Sequence, residues 1–181
     1  AQGAFARQGV KPVIEAAIDM GKLDALGPTV AKVAQSQPGA IIMVTAGKAS
    51  TAFIREYLKT GARPQFFGVS VLSAKALLAD LGPDAHGIVI AQVVPSPLRT
   101  SYGISKEFLA AAKKADSKDI TYNSLEGYLT AKVFVEALRR AGKDVTREKL
   151  IAALETFNNH DLGGFVIDYS GGKRAGTGFV D

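Results

Sequence analysis

Ala40-Ile41-Ile42-Met43-Val44 is an unbroken apolar run, Thr45-Ala46-Gly47 follows as a turn of small residues, and Phe53, Ile54, Tyr57 and Leu58 then recur at helical spacing. A strand that leads through a short turn straight into an amphipathic helix is half of a βαβ unit. The run does not alternate between apolar and polar residues, which is how a strand in a parallel sheet reads.

The same grammar extends in both directions. Apolar β-rich runs stand at Pro12–Ile18, Gln65–Ser70 and Gly87–Val94, separated by helical patterns at Leu26/Val30/Val33 and Leu72/Ala76/Leu77. Gly27-Pro28 suits the opening of the first helix, and Gly61 suits the end of the second. Strands and helices joined by connections of a few residues predict an α/β fold, a parallel sheet flanked by helices on both faces. After Val94 the pattern changes. Pro95-Ser96-Pro97 cannot continue a central strand and marks a boundary or crossover, and periodicity leaves open a hinge there or a single α/β domain with a helical cap. Three helical stretches follow without an intervening strand: Ser105–Ala115, a long helix opened by Asn123-Ser124-Leu125-Glu126 as a capping box and closed by Gly142, and a third capped by Thr146. Gly164–Tyr169 reads as a strand, Ser170–Gly178 as a Gly-rich turn, and Phe179-Val180 as the start of another strand. The expected division is 1–94, 95–163 and 164–181.

Composition narrows the function classes. Hydrophobic residues make up 47% of the 181, which excludes an intrinsically disordered chain. No apolar run approaches membrane-spanning length. The chain has no Cys, which removes thiol nucleophiles, disulfides and Cys-ligated zinc together. The net charge is +5, yet the basic residues are scattered and interleaved with acids. No basic stripe with aromatic platforms is visible, so no nucleic acid is expected as a partner. There is no signal-peptide or transit-peptide pattern, and the start lacks Met, so the chain is expected to be mature, trimmed or partial.

Catalytic and cofactor motifs fail on inspection. Gly47-Lys48 glances at a phosphate loop, but Ile42 and Ala49 stand where that motif needs Gly and Ser or Thr. What remains is a βα turn whose helix N-terminus offers free N–H groups to a carboxylate or other anion. Gly68-Val69-Ser70-Val71-Leu72 resembles a nucleophile elbow without its second Gly. His86 and His160 are the only histidines, and their spacing predicts no triad with Ser70. Neither an HExxH pair nor an Asp-rich calcium loop occurs, so no metal or cofactor is expected. Ser70 still ends a parallel strand, where open α/β sheets bind ligands. Tyr122, at the start of the long helix, is a candidate pocket residue, and Tyr128 is expected in the core. A ligand-ready fold without a catalytic set predicts a binding module and no enzyme.

Several segments carry a resemblance. Gln92-Val93-Val94-Pro95, Tyr122-Asn123-Ser124-Leu125-Glu126-Gly127-Tyr128, Ala141-Gly142-Lys143, Thr146-Arg147-Glu148-Lys149-Leu150 and Asp161-Leu162-Gly163-Gly164-Phe165 resemble, in order, the branched-chain amino-acid type of periplasmic binding protein. These are solute receptors of ABC importers with the type I two-lobed fold. The resemblance runs from Arg7 to Asp181 and implies the C-terminal portion of such a receptor. It implies a second lobe over about 1–94, helices completing the first lobe, and a β-segment from Gly164 that crosses back.

Function follows from the same resemblance. It implies a small amino acid or other carboxylate held between two lobes by hinge closure, a membrane permease as partner, and a periplasmic location, or an extracellular, lipid-anchored one in a Gram-positive host. The alternative is a ligand-sensing domain of a receptor or transcription regulator with the same fold. Thr45, Ala46, Gly47 and Ser70 match second-lobe positions that face ligand in the family. Ala46 stands where these receptors tend to have an aromatic residue, and Ser70 where they can have a Glu that pairs with the ligand's ammonium. Losing that charged partner removes about 1.5–3 kcal/mol unless it is replaced, which leaves aromatic acids and other carboxylates as open as leucine, isoleucine or valine.

Overall fold

A computed structural model describes residues 2–181, which fall into two compact units divided between Ala91 and Gln92. In the first, helix α1 (Gln2–Arg7) precedes α2 (Gly27–Gln35), β1 (Ala40–Met43), α3 (Lys48–Leu58), β2 (Gln65–Gly68), α4 (Ala74–Leu81) and β3 (Val89–Ile90). The strands form a parallel sheet in the order β1-β2-β3. Ile41 pairs with Phe66 and Met43 with Gly68, and Gly68 then pairs with Ile90. Pro28 sits in the first turn of α2, where its missing N–H costs nothing.

The core of this unit lies on one face of the sheet. Met43 and Phe66 point into it and meet Val30 and Val33 of α2, Phe53, Ile54 and Tyr57 of α3, and Leu77 and Leu81 of α4. Tyr57 stands edge-on to Phe66, with ring centroids 5.8 Å apart. Arg55 Nη2 donates to the Asp80 carbonyl at 2.7 Å and ties α3 to the end of α4.

Two expectations for this unit are corrected. The sheet is not covered on both faces: Ile42, Val44 and Val89 are 52%, 63% and 48% exposed, and Phe67 is 36% exposed. Uninterrupted apolar strands hid this, because their outward side chains look the same in sequence as their inward ones. Pro12–Ile18 is not a paired strand. Ile14 and Ile18 still pack against the core, so the segment is held by its side chains and not by a ladder. Gly61, with φ +82°, lies three residues beyond the end of α3, with Lys59 as its cap.

The second unit is mainly helical: α5 (Gly103–Lys114), α6 (Tyr122–Ala141), α7 (Arg147–Glu155) and a short antiparallel pair, β4 (His160–Asp161) with β5 (Val166–Ile167). Leu125, Leu129, Val133 and Ala137 recur every four residues along α6 and make one buried stripe. Ile104 and Phe108 of α5, Phe157 after α7, and Leu162, Phe165 and Ile167 of the β-hairpin complete the core. Gly163 has φ +85°, and a Cβ there would stand 2.8 Å from the Ile104 nitrogen, so only glycine allows the hairpin turn to approach α5. The Gly163 carbonyl accepts the Ile104 N–H at 3.0 Å across that contact.

Thr146 caps α7 as its sequence implies, accepting the Lys149 N–H at 3.2 Å. The box that opens α6 uses other residues than Asn123 and Glu126. Thr121 Oγ1 accepts the Ser124 N–H at 3.1 Å, and the Thr121 N–H donates to Ser124 Oγ at 2.9 Å. Phe179-Val180 forms no strand. Instead Gln92 and Asp181 exchange a pair of backbone hydrogen bonds, at 2.8 and 2.9 Å.

Candidate functional site

The carboxyl ends of β1 and β2 assemble four of the five expected site residues on one sheet edge. Met43 and Gly68 are register partners. Thr45 and Ser70 each lie two residues beyond that pair, so the two turns leave the sheet side by side. This edge is where open parallel sheets take ligands. Thr45 and Ser70 are half-buried, while Ala46 and Gly47 are exposed.

Local backbone chemistry shapes the first turn. Gly47 is the N-cap of α3 at φ +55° and ψ −135°, with no side-chain cap. Its carbonyl accepts the Ser50 N–H at 3.2 Å, which closes the first helical turn. No acidic residue lies in that first turn, so the positive end of the helix dipole is not neutralised locally. Beneath the turn, Thr45 Oγ1 and Ser50 Oγ share a 2.6 Å hydrogen bond, and Ser50 is fully buried. Thr51 Oγ1 donates back to the Lys48 carbonyl at 3.1 Å. The second turn runs through Ser70 to Ser73, whose hydroxyl caps α4 by accepting the Ala76 N–H at 3.3 Å. The sequence singled out Thr45, but it gave no sign that Ser50 lies beneath it. A helical residue five positions on is not an obvious neighbour until the turn is built.

Tyr122 lies in the other unit. It is the first residue of α6, half-buried against the core of that unit. Tyr128, also half-buried, stands at an angle to Phe108 and donates to Glu107 Oε1 at 2.7 Å. Burial, then the Glu107 carboxylate, pushes the Tyr128 phenol up to about 12. Hydrogen bonds from Lys132 and Tyr128 hold Glu107 below the usual carboxylate range.

His86 does not join Ser70, and His160 belongs to the second unit. His86 precedes β3 and therefore stands at the opposite edge of the sheet, exposed, with Nδ1 3.0 Å from the Pro83 carbonyl. His160 belongs to β4, where its ring stands edge-on to Phe157 at 5.1 Å. Among the described residues no cluster of His, Cys, Asp or Glu could hold a metal ion, and no helix is long and apolar enough to cross a membrane.

A family model described as periplasmic binding protein matches residues 1–178. Among solved structures, a substrate-binding periplasmic protein from Ralstonia solanacearum superposes with a TM-score of 0.86 at 28% identity, over 99% of this chain and 52% of that one. An extracellular ligand-binding receptor from Verminephrobacter eiseniae gives 0.77 at 29% identity, over 88% and 46%. A structure from Rhodopirellula baltica, titled a possible leucine/isoleucine/valine-binding protein, gives 0.74 at 30%, over 81% and 40%. No curated protein sequence matches. The chain spans about half the length of the structures it resembles. With its parallel sheet and a family match along nearly its whole length, the chain belongs to the periplasmic binding proteins.

Proposed function

We propose that this chain is part of an extracytoplasmic solute receptor that delivers an amino acid or another small carboxylate to the membrane permease of an ABC importer. One observation carries the reading: the Thr45–Gly47 turn and Ser70 stand together on the carboxyl edge of a parallel sheet. Family membership and the likeness to the possible leucine/isoleucine/valine-binding protein of Rhodopirellula baltica support it. Thr45, Ala46, Gly47 and Ser70 are the proposed contacts in the first unit, and Tyr122 is a further one in the second. The two turns supply the Thr45 and Ser70 hydroxyls and the N–H groups of a helix N-terminus, which suit a carboxylate. They supply no acidic side chain for an ammonium. The protein works by binding, and closure of two lobes on the solute creates the form that the permease recognises.

A thermal-shift screen of the intact polypeptide tests this, with L-leucine, L-phenylalanine, benzoate and succinate as probes. A ligand at about 100 times its dissociation constant adds roughly 2.7 kcal/mol to stability, a rise of a few degrees. A rise with one chemical class identifies the solute. No rise with any of the four argues against a receptor for these carboxylates.

A further inference from the structure

The hydroxyl pair under the β1–α3 turn has a direction, and the direction has a consequence for the ligand. Thr45 Oγ1 and Ser50 Oγ lie 2.6 Å apart, and distance alone lets either one donate. Their surroundings differ. Ser50 is fully buried, whereas Thr45 is half-buried at the sheet edge. Each hydroxyl carries one proton and must place it. Thr51, next along the helix, turns its proton back to the Lys48 carbonyl. Ser50 has no such carbonyl bond, and its one acceptor among the described residues is Thr45 Oγ1. Were Thr45 the donor, the Ser50 proton would be buried against nothing, an arrangement that folded proteins avoid.

We infer that Ser50 donates to Thr45 and is a positioning residue for the proposed site, aiming the Thr45 proton outward at an acceptor oxygen of the solute. This rests on the solute-receptor reading above and makes it more specific. Ser50 occupies one lone pair of Thr45 Oγ1 and fixes the Thr45 rotamer. The Thr45 proton is then free for a carboxylate or carbonyl oxygen of the solute, and one lone pair of Thr45 Oγ1 stays open beside it.

The direction is read in the intact polypeptide labelled with carbon-13 at the Ser and Thr Cβ, dissolved in equal parts of light and heavy water. A hydroxyl proton that exchanges slowly splits its Cβ resonance into two lines. The expected pattern is a split Ser50 line and a single, averaged Thr45 line. The reverse pattern overturns the inference. The consequence is read by titration calorimetry with L-leucine, L-phenylalanine, benzoate and succinate. Ser50→Ala should weaken whichever probe binds by about three- to tenfold, the effect of one neutral hydrogen bond. The same substitution should have no further effect in a Thr45→Val background, whereas a merely structural role for Ser50 would add to it. A probe that binds wild type and Ser50→Ala equally overturns the positioning role and leaves the receptor reading intact. Failure of all four probes on wild type overturns the carboxylate-receiving role of the pair, and the isotope pattern still reports the direction.

Discussion

Gly47 holds the turn on which the proposed site depends. Its φ of +55° with ψ −135° lies in a region that L side chains rarely enter, and a Cβ there would have no heavy atom within 4 Å. The cost of a side chain at this position is therefore backbone strain alone. Gly47→Ala is expected to lower stability by about 1–3 kcal/mol, read as a shift in the urea midpoint without a change of slope. In sequence Gly47 was legible only as part of a turn of small residues, and its backbone requirement emerges once the turn is built. The α6 cap was less legible still. The usual signature asks for Glu or Gln three residues after the cap, which drew attention to Asn123 and Glu126. Here Ser124 does that work for Thr121, with a hydroxyl too short to be recognised in sequence. The Thr45–Ser50 bond is a contact between two elements, and periodicity says nothing about such contacts.

Among the elements, helices other than the short α1 were read more reliably than strands, because they carry their own apolar stripes. A strand's identity depends on its partners. Pro12–Ile18 has the composition of a strand and packs as one against the core, but no ladder receives it. The turn after β5 shows how local chemistry can replace a ladder. Asp168 takes the Lys173 ammonium as an ion pair and accepts from both the Ser170 hydroxyl, at 2.6 Å, and its N–H, at 2.9 Å. Lys173 first, and then Ser170, hold the Asp168 carboxyl down at about 2, against an ordinary 3.8. The unfolded chain binds this proton more readily, so the contribution is complete above about pH 4 and is lost as pH falls towards 2. The melting temperature is expected to drop over that window. Asp168→Asn, measured alongside wild type by scanning calorimetry, should flatten that part of the drop.

At the scale of the whole molecule, each unit has its own buried core, but the first leaves one sheet face open. Ile42, Val44, Phe67 and Val89 form an apolar patch there, of the kind that soluble proteins seldom expose. The 181-residue chain prepared by itself is expected to associate as its concentration rises. Phe67→Lys should shift its sedimentation distribution towards the monomer, and an unchanged distribution would place the association elsewhere. The α/β class, the parallel sheet and the change of grammar after Val94 were legible from strand and helix periodicity. The open face was not, because burial of an apolar strand is a property of what lies against it. The second unit has a different global feature. Gln92 and Asp181 stand at its two ends, yet they hold one another by two backbone hydrogen bonds. In all but one covalent join, residues 92–181 form a ring. Such a ring can be opened elsewhere: with the old ends linked by a few glycines and a new start placed in the exposed Lys143–Val145 connection, a circularly permuted unit should keep the helical circular-dichroism spectrum of the original order.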